Sequence, residues 1–131
     1  METDLRAVIR AGLDSWSHGD LEGALANLAP DLEFVTSGVY PGLEPVYHGH
    51  EGFARFWSEF REAWQDITIE IDQIVEGRQD RYAVVGRFRA TGRDGIPAER
   101  TVGMKYTIAG DVVKRIESFG SGAEALAAAG L

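Results

Sequence analysis

The sequence predicts a single α+β domain in which helices pack on a curved, mostly antiparallel sheet. Between residues 51 and 66, aromatic side chains recur at offsets of three and four, the spacing of one helix face: Phe53, Phe56, Trp57, Phe60 and Trp64. Isoleucines then alternate with polar residues over 67–72, the pattern of a half-buried strand. We expect this aromatic helix and the sheet to enclose an apolar cavity that binds a small molecule.

Composition narrows the class of protein. The chain has 131 residues, which fits one domain over 1–131, and 13 basic against 21 acidic residues give a net charge of −8. Such a surface excludes nucleic acid and disfavours anionic membranes as partners. No cysteine is present, so disulfides and thiolate chemistry are excluded. No apolar run is long enough to cross a bilayer, and residues 1–10 lack a signal-peptide core. We therefore expect a cytoplasmic protein without a cofactor.

Two helices are predicted before the first strand. Apolar periodicity predicts a helix over about 3–17, and Asp20 is a natural N-cap for a second helix that ends at Pro30. A first strand follows over 32–37. The segment 36–50 is rich in glycine and proline, which predicts a loop leading into the aromatic helix.

A long hairpin is predicted over 66–76 and 81–92, joined by the four-residue loop 77–80. Pairing Glu76 with Arg81 places Ile71 opposite Gly86, Ile69 opposite Phe88, Ile67 opposite Ala90, Glu70 opposite Arg87 and Thr68 opposite Arg89. Apolar residues then meet on one face and opposite charges on the other. Arg87 and Arg89 are therefore interpreted as outer-face ion-pair partners rather than as an anion site.

A third long strand is predicted over 98–108, with Met104 and Tyr106 on its inner face, and a last strand runs to Phe119. A two-residue turn near 109–111 pairs even with odd positions, which places Glu117 on the same face as Met104. Ser121 begins a capping box for a short helix that Gly130 ends.

Four segments resemble the SnoaL-like group of the nuclear transport factor 2-like superfamily. They are Ser-His-Gly-Asp-Leu at 17–21, Asp-Leu-Glu-Phe at 31–34, Tyr-His-Gly-His-Glu-Gly at 47–52 and the ending Glu-Ala-Leu-Ala-Ala-Ala-Gly-Leu at 124–131. The resemblance implies a cone-shaped, strongly bent sheet wrapped around the N-terminal helices and the aromatic helix. It also implies an apolar pocket and a homodimer.

The catalytic sets of this superfamily do not carry over intact. Positions that hold Tyr and Asp in ketosteroid isomerases fall near Leu13, Met104 and Thr36, and the cyclase Asp falls near Ser121. The two acids of limonene-type epoxide hydrolases fall near Glu117 and Ala83. The resemblance therefore implies a small-molecule site without naming a reaction.

Glu117 and His48 are the candidate catalytic residues. In an aromatic cavity, desolvation would raise the pKa of the Glu117 carboxyl and suit it to proton transfer; alternatively, Glu117 pairs with Arg115. His48 would face the cavity mouth; alternatively, it bonds to the backbone at the helix entry or is a solvated loop histidine. His50 is expected to be solvated. The pair His48 and His50 is weak evidence for a metal, and we predict none.

The candidate ligand-binding residues are Trp16, Thr36, Tyr40, Tyr47, Phe56, Trp57, Phe60, Met104 and Tyr106. Tyr40 and Tyr47 either donate hydrogen bonds to a ligand carbonyl or cover the open end of the cone. Trp16, Trp57, Phe60 and Met104 would form the walls.

The predicted function is binding of a small, apolar, cyclic or polyketide-like molecule. Such a protein would act as a cofactor-independent isomerase, cyclase or hydratase/hydrolase. The alternative is a non-enzymatic ligand-binding domain, or a dimerisation domain. A homodimer would use the outer sheet face, formed by Val85, Arg87, Arg89, Lys105 and Thr107.

Overall fold

The structure is a computed structural model that describes residues 4–36 and 43–130. In these ranges the helices are α1 (Leu5–Ser17), α2 (Leu21–Leu25), α3 (Gly49–Ala63) and α4 (Gly122–Ala128). The strands are β1 (Leu28–Val35), β2 (Val46–His48), β3 (Trp64–Glu76), β4 (Arg81–Gly92), β5 (Pro97–Ala109) and β6 (Val112–Phe119). None of the described helices has the length and apolarity needed to span a bilayer.

The strands form one curved sheet in the order β2-β1-β6-β5-β4-β3. Neighbouring strands are antiparallel except for β1 and β6, which are parallel. Helices α1 and α3 pack on one face of the sheet, which we call the inner face. Helix α4 packs on β4 and β5 from the opposite, outer face. The predicted α+β fold is confirmed.

The core joins α1, α3 and the sheet through aromatic rings. Asp4 caps α1 by accepting the backbone N–H of Arg6 at 3.1 Å. In α3, the ring centroid of Phe56 lies 4.6 Å from that of Phe34, and the ring of Phe60 lies 5.3 Å from that of Trp16. The predicted aromatic helix is confirmed.

Helix α2, strand β2 and the start of β3 differ from the prediction, and β1 begins at Leu28 rather than at residue 32. α2 ends at Leu25 because the chain turns into β1, where Leu28 pairs with Val113 of β6. β2 was missed because three residues in a proline-rich loop show no periodicity. Trp64 is the first residue of β3 rather than the last of α3, with an extended φ of −131° and ψ of 146°.

The β3–β4 hairpin has the predicted pairs at its centre. Thr68 lies opposite Arg89, Ile69 opposite Phe88, Glu70 opposite Arg87 and Ile71 opposite Gly86. Nearer the turn, an irregularity between Ile71 and Gln73 shifts the register, so Glu76 pairs with Tyr82 and not with Arg81. Arg87 and Arg89 both contact the Glu70 carboxylate, at 3.4 and 3.3 Å. The ion-pair interpretation of the two arginines is confirmed.

The predicted β5–β6 register is wrong. Ala109 pairs with Val112, as the two-residue turn requires, but between Thr107 and Ile108 the register shifts by one residue. Beyond this bulge even positions pair with even ones, so Ser118 lies opposite Met104 and Glu117 lies opposite Lys105. Because a one-residue shift exchanges the two faces of a strand, Glu117 lies on the outer face.

Helix α4 covers part of the outer sheet face. Ser121 caps it by accepting the backbone N–H of Glu124 at 3.2 Å, as the capping box predicted. A Cβ added at Gly122 would lie 2.7 Å from the Cγ1 atom of Val85, and one at Gly103 would meet the Ser121 carbonyl oxygen. Glycines at these two positions therefore allow α4 to lie directly on β4 and β5.

Candidate ligand-binding site

An apolar cavity of about 70 Å³ lies between α1, α2, α3 and the inner sheet face; we call it the inner cavity. Five predicted ligand-binding residues line it: Trp16, Phe56, Phe60, Met104 and Tyr106. Its other walls include Ile9, Leu13, Phe34, Phe88, Val102 and Ile116. None of the described residues that line it is charged. An apolar cavity of about 150 Å³ accepts benzene, so the inner cavity accommodates a smaller group than an aromatic ring.

A larger opening of about 340 Å³ lies between the second half of α3 and strands β3, β4 and β5; we call it the outer groove. Its lining residues are Leu43, Glu59, Phe60, Ala63, Trp64, Phe88, Arg100, Thr101, Val102 and Gly120. Phe60, Phe88 and Val102 line both spaces. The inner cavity and the outer groove therefore adjoin across three apolar side chains.

Among the described residues, the charged side chains that line the outer groove are those of Glu59 and Arg100. Glu59 is held from two sides: its Oε2 atom accepts the Tyr47 hydroxyl at 2.7 Å, and its Oε1 atom lies 3.8 Å from the Arg55 Nε atom. The Tyr47 oxygen in turn accepts the backbone N–H of Glu44 at 3.1 Å. Burial, and then the hydrogen bond to Glu59, raise the pKa of Tyr47 above its ordinary value of 10.0. Tyr47 is thus a hydrogen-bond donor that orients the Glu59 carboxylate.

The SnoaL-like domain family matches residues 9–118 of the chain. The chain belongs to the SnoaL-like family. No curated protein matches it.

Solved structures similar to this SnoaL-like protein show the same fold. A nuclear transport factor 2-like protein of unknown function from Burkholderia pseudomallei is 24% identical over 93% of this chain and 94% of its own, with a TM-score of 0.82. TerC, co-crystallised with polyporic acid, is 23% identical over 93% and 95%, with a TM-score of 0.81. A candidate polyketide cyclase from Xanthomonas campestris is 16% identical over 94% of each chain, with a TM-score of 0.73.

In this SnoaL-like protein, Glu117 lines neither the inner cavity nor the outer groove. Its carboxylate lies 3.3 Å from the Lys105 ammonium and 3.4 Å from the Arg115 Nε atom. The expectation that Glu117 faces the cavity is wrong because of the β5–β6 bulge. The alternative, a pair with Arg115, is what the structure shows.

His48 and His50 also lie away from the cavities. Tyr47 is fully buried, so the alternation of β2 turns the exposed His48 to the opposite face. His50 is partly buried rather than solvated, and its Nε2 atom lies 2.7 Å from the Leu28 carbonyl oxygen. Within residues 4–36 and 43–130, no group of three or more metal-ligating side chains occurs.

Of the remaining predicted ligand-binding residues, Thr36, Tyr47 and Trp57 line neither space. Thr36 is buried and its hydroxyl donates to the Glu44 carbonyl oxygen at 2.7 Å. Trp57 is partly buried, with the Arg61 guanidinium carbon 4.6 Å from its ring centroid. The Tyr47 hydroxyl donates a hydrogen bond to Glu59 rather than pointing its donor into the inner cavity. Tyr40 lies outside the described residues.

Glu59 and Arg100 were missed by the sequence reasoning. Arg100 has the same parity in β5 as Met104 and Tyr106, so strand alternation alone places it on the inner face. Glu59 precedes Phe60 at the edge of the aromatic stripe, and nothing in the local pattern distinguishes it from other polar residues of α3.

Proposed function

We propose that this SnoaL-like protein binds an apolar cyclic or polyketide-like small molecule. The outer groove would hold the ring system, and the inner cavity would accept a small apolar substituent. The observation that most strongly supports this proposal is the wall that the two spaces share, formed by Phe60, Phe88 and Val102. The volume of the outer groove, about 340 Å³, lies within the range of about 300–1,000 Å³ that is usual for ligand pockets.

Intrinsic fluorescence tests this proposal because the tryptophans report from different places. Trp64 lines the outer groove, whereas Trp57 lines neither space. We expect 2-acetonaphthone, a neutral bicyclic ketone, to quench the emission of wild-type protein and of Trp57→Phe. The quenching should be smaller in Trp64→Phe than in Trp57→Phe, with Trp16 of the inner cavity as the remaining reporter. Equal quenching in the two variants, or no saturable binding by calorimetry, would overturn the proposal.

Acid–base catalysis on the bound molecule is the second candidate function. Among the described residues, Glu59 is the carboxylate that lines the outer groove, and the Tyr47 hydroxyl fixes its orientation. An oriented carboxylate can take a proton from a carbon next to a ligand carbonyl and return it to another carbon. This isomerisation balances without a cofactor, since the proton removed is the proton restored.

A matched pair of variants separates catalysis from binding. Glu59→Gln should abolish turnover of an enolisable ketone while keeping ligand affinity. Glu117→Gln removes the same charge from the outer face and should leave both quantities unchanged. Full turnover by Glu59→Gln would exclude Glu59 as the base. No turnover by the wild-type protein would leave a non-enzymatic binding protein.

The homodimer through the outer sheet face stays a prediction. Val85, one of its proposed residues, lies beneath α4, and Arg87 and Arg89 form ion pairs within the chain. Any such dimer would therefore bury α4 or pair charged side chains. Light scattering coupled to size-exclusion chromatography would distinguish monomer from dimer.

A further inference from the structure

We propose that the outer groove selects ligands that carry an anionic oxygen group, and that Arg100 binds this group. A carboxylate, a phenolate and the enolate of a cyclic ketone all have the required chemistry. The inference rests on the proposed ligand binding and adds the charge of the ligand to it.

The register of β5 brings Arg100 to the groove. Arg100 pairs with Phe88 of β4, and Val102, two residues further along, lines both the groove and the inner cavity. Its neighbour Glu99 has the opposite parity and pairs with Arg89, 3.2 Å away. The sheet therefore separates Arg100 from Glu99, the acid nearest to it in sequence.

Arg100 has no acidic partner among the described residues. Its side chain makes no ion pair and no hydrogen bond there, whereas Arg87 and Arg89 each contact two carboxylates. The other charged residue of the groove, Glu59, already accepts the Tyr47 hydroxyl and lies beside Arg55. Arg100 is therefore the uncompensated charge on the groove wall described here.

The surrounding side chains define the rest of the ligand. Phe60, Trp64 and Phe88 offer aromatic surface to a planar ring system. A guanidinium presents several N–H donors in one plane, which matches the two oxygens of a carboxylate or the adjacent oxygens of an enolised diketone. Because the net charge of −8 repels anions at long range, selection of an anion requires a local cation of this kind.

The competing explanation is an exposed arginine with no role in binding. Arg10 of α1 provides the matched control: it is exposed, has no ion pair among the described residues and lines neither space. Arg10→Gln and Arg100→Gln change the net charge by the same amount. A difference in anion affinity between the two variants therefore reports the position of the charge rather than its magnitude.

The experiment compares 2-naphthoate with its neutral analogue 2-naphthamide by calorimetry at fixed ionic strength. We expect wild-type protein and Arg10→Gln to bind naphthoate more tightly than naphthamide. Arg100→Gln should weaken naphthoate binding about tenfold, the effect of removing one charge-assisted hydrogen bond, and leave naphthamide binding unchanged. Arg100→Lys should retain part of the preference. Thermal unfolding checks that each variant is folded.

The outcomes separate this inference from the function on which it rests. Equal losses of naphthoate affinity in Arg10→Gln and Arg100→Gln would overturn the role of Arg100. So would a ratio of naphthoate to naphthamide affinity that is the same in Arg100→Gln as in wild type. Equal binding of both probes by wild-type protein would overturn anion selection alone. Binding of neither probe would overturn anion selection and the proposed ligand binding together.

Discussion

The Tyr47 hydroxyl donates a hydrogen bond of 2.7 Å to Glu59, and this contact ties the edge strand β2 to the wall of the outer groove. Tyr47 is fully buried, and its ring lies edge-on to Phe56 at 5.5 Å between centroids. The Arg55 guanidinium carbon lies 5.1 Å from the Tyr47 ring centroid and its Nη2 atom is 2.7 Å from Glu44. The position of the groove carboxylate thus depends on a buried residue outside the groove.

Tyr47→Phe should destabilise the fold by about 1–2 kcal/mol, because the Glu44 N–H and the Glu59 carboxylate each lose a partner. Urea unfolding at neutral pH measures the loss. Glu59→Gln is the control, since an amide oxygen still accepts the hydroxyl proton, and its loss should be smaller. A Tyr47→Phe variant as stable as wild type would show that the network contributes nothing to folding.

Alkaline pH should destabilise the protein through the same tyrosine. The folded-state pKa of Tyr47 is raised above 10.0 by burial and by Glu59, so the unfolded state loses this proton first. The contribution of Tyr47 is therefore complete below about pH 10 and is lost as the pH rises through the folded-state pKa. Tyr82 is shifted the same way by burial and by Glu76, and it accounts for part of the loss.

Unfolding free energies measured from about pH 9 to about pH 11 test this linkage. The decline should be shallower in Tyr47→Phe than in wild type, with the remainder due to Tyr82. Parallel declines in the two proteins would contradict the assignment to Tyr47.

Local patterns were sufficient to predict most of the fold. Apolar periodicity placed α1 and the aromatic helix, and the capping box at Ser121 placed α4, because each signal lies within a few residues of the element that it defines. The centre of the β3–β4 hairpin followed from matching apolar and charged residues across the strands. The starting pair, Glu76 with Arg81, was nevertheless wrong, and the bulge after Ile71 restored the register.

The candidate site was predicted less well because it depends on the pairing of strand residues that lie far from the connecting turn. The turn before β6 fixes the pairing only at its own end, and the extra residue at the bulge exchanges Glu117 for Ser118 on the inner face. No pattern in β6 signals this bulge. Arg100 could have been found, since it alternates with apolar inner-face residues that were recognised. Glu59 could not, because its role depends on Tyr47, a residue of the unpredicted strand β2.

Glu117→Gln should leave ligand binding unchanged, because its side chain lies on the outer sheet face. The side chains of Glu117 and Lys105 are only 21% and 16% exposed, so losing their ion pair should cost about 1 kcal/mol of stability. Calorimetric titration and urea unfolding measure the two effects on the same samples. Loss of ligand affinity in this variant would contradict the observed β5–β6 register.

Gly103→Ala should destabilise the protein by about 1–3 kcal/mol by displacing α4 from the sheet. The added methyl would meet the Ser121 carbonyl oxygen and lie 2.9 Å from the Ala125 Cβ atom. Relative to wild type, amide hydrogen exchange in Gly103→Ala should be accelerated more in α4 than in α3. Gly120→Ala is the control, since nothing lies within 4 Å of a Cβ there, and its α4 exchange should match wild type. Unchanged α4 exchange in Gly103→Ala would contradict the close packing.

Gly12 offers a direct test of whether the inner cavity takes part in binding. It lines that cavity in the middle of α1, and a Cβ added to it meets nothing within 4 Å. Gly12→Ala should therefore stabilise the protein by about 1 kcal/mol through helix propensity. Gly12→Leu should fill the cavity and weaken only those ligands whose substituent enters it.

Gly23→Ala provides the contrast, because the added methyl would meet the Asp20 carboxylate that caps α2 and should destabilise the fold. Thermal unfolding ranks the three variants. Titration of Gly12→Leu with 2-acetonaphthone and with its longer alkyl homologue, 2-butyronaphthone, then shows whether the loss of affinity grows with chain length. If both ketones bind Gly12→Leu as they bind wild type, the ligand occupies the outer groove alone, and the shared wall at Phe60 and Val102 closes off the core.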